Sequence, residues 1–113
     1  MTWAECKTLV DARDAGRCQR CGRPAQGGSR HHRKPRGMGG KNRADQSRPS
    51  NVVTLCGSGT TGCHGYIETH RQEGYATGWL LHDWDHPEHT ATLDLGGRFH
   101  WYDDEGGTRV DRG

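Results

Sequence analysis

Cys18-Gln19-Arg20-Cys21, His31-His32, Ser50-Asn51-Val52-Val53-Thr54-Leu55-Cys56 and Gly62-Cys63-His64-Gly65-Tyr66-Ile67-Glu68-Thr69-His70 follow one another within one stretch of the chain. Two cysteine pairs, Cys18/Cys21 and Cys56/Cys63, bracket a histidine pair, with Asn51 between the histidines and the second cysteine pair and His64 directly after the last cysteine. The order reads as a metal-stapled fold with a second metal inside it. Cys18 and Cys21, two residues apart, can place both thiolates on one tetrahedral ion while the intervening turn points its amides at the sulfurs. Alone, such a pair fits a redox motif equally well. The second pair favours zinc, although its spacer, Gly57-Ser58-Gly59-Thr60-Thr61-Gly62, is longer than that of a usual knuckle.

Composition supports a staple. With 113 residues, 29% of them hydrophobic, and 18 glycines, the chain is one domain with little apolar material for a core. Five cysteines, an odd number, do not make a complete disulfide framework. No charged segment followed by an apolar run resembles an export signal, so a reducing cytoplasm is the expected compartment. No apolar run is long enough for a bilayer span, and no membrane association is expected.

The net charge of +2 conceals a polarised chain. Between Arg17 and Arg48 ten Lys/Arg face Asp45 alone, whereas His82 to Gly113 carries three arginines against eight acids. A basic, glycine-rich segment suits a phosphate backbone through charge and counterion release. The same run also reads as a solvated loop.

The flanking segments have simple patterns. Thr2 to Ala15 reads as an amphipathic helix with Thr2 and Glu5 as a capping box, Trp3, Cys6, Leu9 and Val10 on one side, and Gly16 as its stop. Cys6 on that stripe is expected to pack as a small hydrophobe. Ser29 to Arg33 predicts a short strand entering a loop that extends to Ser50, and Asn51 to Cys56 a second strand. His64 to Glu73 predicts a helix ended by Gly74 and Gly78. Trp79 to Leu81, Thr90 to Leu95 and Arg98 to Tyr102 are β-prone, with turns at Gly96-Gly97 and Glu105-Gly106-Gly107. Trp79, Leu93, Leu95, Phe99 and Trp101 are expected to supply an apolar face.

Taken together, Cys-x-x-Cys, His-His, Asn-Val-Val-x-Leu-Cys and Cys-His resemble the HNH endonuclease family in its zinc-bearing branch, and Gly62 to Leu81 resembles small bacteriophage HNH proteins. The resemblance covers Cys18 to Leu81. It implies an α+β fold: a small zinc-stapled ββα-metal (HNH, His-Me finger) core at 17–78, preceded by an N-terminal helix at 1–16 and followed by an acidic β-hairpin extension at 79–113. It implies His31 as the first ligand of a catalytic divalent ion, His32 as general base, and Asn51 as the residue that orients the base and braces the loop. His64 matches the last ligand. Where several relatives carry a further histidine one helical turn on, this chain has Glu68, and a carboxylate still serves a hard ion. His70, six residues past His64, points elsewhere on a regular helix.

The implied activity is hydrolysis of phosphodiester bonds in double-stranded DNA, nicking or cutting, with weak sequence preference. Cys18, Cys21, Cys56 and Cys63 would hold structural zinc. Mg²⁺ or Mn²⁺ suits the catalytic set, and its imidazoles also accept Ni²⁺, Co²⁺ or Zn²⁺. Arg30, Arg33, Lys34, Arg36, Lys41 and Arg43 are expected at phosphates. Free-standing phage relatives suggest a link to genome packaging and the terminase. Two other readings use the same residues: a zinc-stabilised nucleic-acid-binding module without the reaction, and an assembly protein in which zinc only staples the fold.

Overall fold

The fold turns on a two-stranded antiparallel pairing, β1 (Ser29–His32) against β2 (Val52–Leu55), in which His31 faces Val53 and His32 faces Val52. Side chains alternate across a strand. Ser29, His31, Val53 and Leu55 therefore share one face of the hairpin, and Arg30, His32, Val52 and Thr54 the other. The computed structural model describes residues 1–25, 28–34 and 46–112. Arg36, Lys41 and Arg43, expected at phosphates, lie outside the described residues, as do Gly37, Gly39 and Gly40.

Helix α1 (Trp3–Asp14) covers the His32 face. Thr2 accepts the Glu5 amide and Glu5 accepts the Thr2 amide, so the capping box forms as its sequence requires. Cys6 and Val10 pack on Val52, with Trp3 alongside. At the helix end, Arg13 donates to the carbonyls of Pro49 and Val52, while the Asp14 carboxylate accepts from Arg13 and from the Thr54 amide. A buried ion pair thus straps the helix to β2 with its hydrogen bonds used.

Helix α2 (Gly62–Thr69) covers the other face, where Val53, Leu55, Ile67, Trp79, Leu80 and Tyr102 form the main core with Cys18 and Cys63. Helix α3 (Arg71–Ala76) follows at once. The helix predicted over His64 to Glu73 is therefore two helices: the first starts earlier, and the chain breaks at His70, whose ψ is 60°. Gly74, predicted as a terminator, lies inside α3. A Cβ there would stand 2.8 Å from Leu80 Cδ1, so the missing side chain is what lets α3 close on the core.

Trp79 to Leu81, predicted as a strand, is irregular and fully buried. Its backbone is spent on other partners, as described below, and has no ladder to join. The second sheet is antiparallel in the order β3 (Thr92–Leu93), β4 (Arg98–Tyr102), β5 (Thr108–Arg112). Its inner face carries Thr92 and Tyr102, whose hydroxyls meet at 3.0 Å. Tyr102, absent from the expected apolar set, is a core residue, whereas Leu95 is exposed. The result is an α+β domain with two antiparallel sheets. Among the described residues no helix is long and apolar enough to cross a membrane.

Candidate metal centres

Two ligand clusters lie on the α2 side of the β1–β2 hairpin. In the first, Cys18, Cys21, Cys56 and Cys63 bring their sulfurs within 4.8 Å of one another. The Cys18–Cys21 turn closes through Gly22 N–H to the Cys18 carbonyl and Cys18 N–H to the Arg23 carbonyl. The Cys21 amide then lies 3.5 Å from Cys18 Sγ, and the Cys63 amide 3.3 Å from Cys56 Sγ. The long second spacer is a closed loop. Ser58 and Thr61 exchange backbone hydrogen bonds, which returns the chain so that Cys63 sits in the first turn of α2 beside Cys56.

Cys21 Sγ and Cys56 Sγ are 3.8 Å apart. Two thiolates about 2.3 Å from one tetrahedral ion stand about 3.8 Å apart. No cysteine is in a disulfide. Burial pushes the Cys63 thiol up to about 12, with the hydrogen bond from Arg20 opposing. These four cysteines can hold a structural metal such as zinc. Cys6 is far from them in the fold, buried between Val10 and Val52.

The second cluster is His31, His64 and Glu68, again with one ligand atom from each within 4.8 Å. His31 is placed by β1, His64 and Glu68 by one turn of α2. His31 Nε2 donates to the Trp79 carbonyl at 2.6 Å, which leaves the lone pair on Nδ1, 4.0 Å from Glu68 Oε1. Burial holds His31 down at about 3, so the ring is neutral at ordinary pH. Burial also lowers His64, with Glu68 opposing. His64 Nε2 lies 3.9 Å from Glu68 Oε1, and its buried Nδ1 has no hydrogen-bond partner among the described residues.

A ring with an unspent buried nitrogen, a neutral imidazole fixed in one tautomer and a carboxylate at these separations fit one divalent ion, whose bonds of about 2.0–2.2 Å span them. The cluster is closed at His31 and open at Glu68, whose side chain is 35% exposed.

The other predicted site residues go elsewhere. His32 takes the opposite face of β1, stacks on Trp3 with ring centroids 5.0 Å apart, and donates from Nε2 to the Gln46 carbonyl at 2.9 Å. Asn51 is buried under the same turn; its Oδ1 accepts the Lys34 amide and its carbonyl the Arg33 amide. His70 stacks on Tyr66 at 3.9 Å, away from the cluster.

Arg33 is not placed for a phosphate. Its guanidinium is completely buried and donates to the carbonyls of Gly78, Ser50, Pro87 and Thr90. Lys34 is likewise buried, with Nζ on the Asp83 carbonyl. Both side chains organise the backbone that follows α3, and Arg33 ties it to Ser50 as well. Arg30 is exposed at the surface and held by Asp11 through two hydrogen bonds, at 2.8 and 2.6 Å.

Two contributors were not legible as site residues. The Trp79 carbonyl orients His31, and Arg20, inside the first knuckle, reaches Cys63. Both contacts join residues more than forty positions apart. Set against protein-family models, curated proteins and solved structures, the chain has no match in any of the three.

Proposed function

We propose that this chain is a metal-dependent DNA endonuclease of the HNH type, with a ββα-metal core formed by β1, β2 and α2. The observation that carries this reading is the convergence of His31, His64 and Glu68, with the His31 tautomer set by the Trp79 carbonyl. Mg²⁺ or Mn²⁺ suits the carboxylate in the set, and the two imidazoles also take Ni²⁺, Co²⁺ or Zn²⁺. Such an ion supplies Lewis-acid stabilisation of the charge that develops on the phosphate and the leaving oxygen.

The chain's own part follows from its hydrogen bonds. His32, whose Nε2 donates to the Gln46 carbonyl, is the residue proposed to accept a proton from the attacking water. Asn51 pins the backbone of the two residues after His32, which holds the base in position. The basic composition from Arg17 to Arg48, apart from the inward-turned Arg20, Arg33 and Lys34, supports DNA as substrate.

A second reading, a zinc-stabilised nucleic-acid-binding module without the reaction, is favoured by one observation: His32 faces α1, across β1 from His31. Conversion of supercoiled plasmid separates the two. Nicked or linear product that depends on Mg²⁺, Mn²⁺ or Ni²⁺, disappears with EDTA and is missing in His32→Ala supports the endonuclease. A folded protein that binds plasmid and cuts it with none of these ions supports the module.

A further inference from the structure

The two oxygens of the Glu68 carboxylate face different neighbours. Oε1 turns to the histidines, 4.0 Å from His31 Nδ1 and 3.9 Å from His64 Nε2. Oε2 turns away from them and accepts from Arg71 Nη1 at 3.1 Å. Glu68 lies in α2 and Arg71 opens α3, three positions on, just past the break at His70. Among the described residues no other side chain donates to this carboxylate.

Arg71 is itself held in place. Its Nη2 donates to Tyr75 Oη at 3.4 Å, and the guanidinium stands 5.8 Å from the Tyr75 ring centroid. Tyr75 packs against the main core and stacks on His82 with ring centroids 4.1 Å apart. The guanidinium is thus fixed between a packed ring and the carboxylate, although 44% of the side chain is exposed. An ion pair this open contributes little to stability. Its consequence lies at the cluster.

We propose that Arg71 is a positioning residue: by engaging Oε2 it restricts Glu68 to ligation through Oε1 alone, and so makes the His31, His64 and Glu68 cluster select a small divalent ion over Ca²⁺. The inference rests on the endonuclease reading of that cluster and deepens it by naming the residue that sets which ion is accepted. A carboxylate can give a metal one oxygen or both. Ca²⁺ readily takes both in a large, flexible shell, whereas a smaller ion such as Mg²⁺ demands a near-ideal octahedron that two oxygens of one carboxylate distort. The oxygen that Arg71 occupies is therefore the one Ca²⁺ would gain. The positive charge of Arg71 opposes every divalent ion alike, so it cancels in the ratio of two affinities. The imidazoles favour Mn²⁺ over Ca²⁺, and they do so equally with or without Arg71.

The test titrates the full chain, carrying zinc at its cysteines, with Mn²⁺ and then displaces the Mn²⁺ with Ca²⁺. The paramagnetic resonance signal of free Mn²⁺ follows both steps in wild type, Arg71→Ala and Arg71→Lys. Zinc content and circular dichroism establish that each variant is folded. Arg71→Ala is expected to shift the ratio of the two affinities toward Ca²⁺ by about tenfold. Arg71→Lys is expected to restore most of it, because the contact uses a single N–H donor that an ammonium can replace.

A ratio that Arg71→Ala leaves unmoved, or no Mn²⁺ binding by wild type, overturns the proposal; an Arg71 that serves only to contact DNA would give the first of these. Plasmid cleavage read in parallel keeps the two ideas apart. A shifted ratio without cleavage by any metal sustains the positioning role and removes the nuclease. Cleavage with an unmoved ratio does the reverse.

Discussion

Arg20 Nη1 donates to Cys63 Sγ at 3.2 Å, which places a largely buried guanidinium against the four-cysteine cluster. The same guanidinium lies 4.4 Å over the Tyr66 ring and 3.7 Å from Glu73 Oε2. A tetrathiolate zinc site carries excess negative charge, and a positioned cation offsets it. Hydrogen bonds to charged groups contribute about 1.5–3 kcal/mol. Arg20→Gln is therefore expected to release zinc to a chromogenic chelator at least about tenfold faster, with helix content intact at saturating zinc. An unchanged release rate would show that Arg20 only packs on Tyr66.

Cys21→Ser removes one sulfur from the cluster whose Cys21–Cys56 separation is 3.8 Å. Structural zinc supplies folding free energy, so this variant should lose bound zinc and soluble protein together. Metal content by elemental analysis, read beside the yield, checks it. A stable, zinc-free variant would refute the staple.

Glu68 is the least conventional member of the second cluster, because Arg71 also claims its carboxylate. Glu68→Ala is expected to weaken Mn²⁺ binding by about tenfold or more, measured by calorimetry. Equal affinity would mean that the third ligand is another group.

Arg33 corrects the expected phosphate-contact set. Its guanidinium serves four carbonyls and lies wholly inside the protein. Burial lowers it to about 10, and it still keeps its charge at neutral pH. Arg33→Lys retains the charge but loses the fork, leaving buried carbonyls without donors at about 1–3 kcal/mol each. The expected result is an unfolding free energy, from urea titration, lowered by about 3 kcal/mol or more, with the salt dependence of DNA binding unaltered. A reduced salt slope in a stable variant would return Arg33 to the DNA surface.

His31 links stability to pH. Its folded value is about 3, held down by burial, whereas an unfolded histidine titrates near about 6.5. Between those values the unfolded chain binds the extra proton, so stability is full above the unfolded value and falls as pH drops toward the folded one. At about pH 5 the loss is about 2 kcal/mol. Urea titrations of metal-free protein and of His31→Gln across that window measure it, and a slope shared by both would assign the effect to other groups.

How much of this was readable beforehand depends on how local each contact is. The capping box of Thr2 and Glu5, the end of α1 before Gly16 and the two short strands that carry the histidines and the valines rest on neighbours in sequence, and they form as read. The buried coil of Trp79 to Leu81 does not. There the side chain and carbonyl of one segment satisfy groups on another, and those tertiary hydrogen bonds override β propensity.

The sequence by itself determined which residue types stand ready for metal chemistry, and, through the period of two in β1, that His31 and His32 take opposite faces. Tertiary structure decided what each side chain does. Packing of α2 against the hairpin brings His64 and Glu68 to His31, while α1 gives His32 its Trp3 neighbour. Arg33 is drawn inside because four carbonyls from distant loops converge where only a buried fork of donors can satisfy them. Charge is written in the sequence; the distance between a charge and its partner is set by how the chain packs.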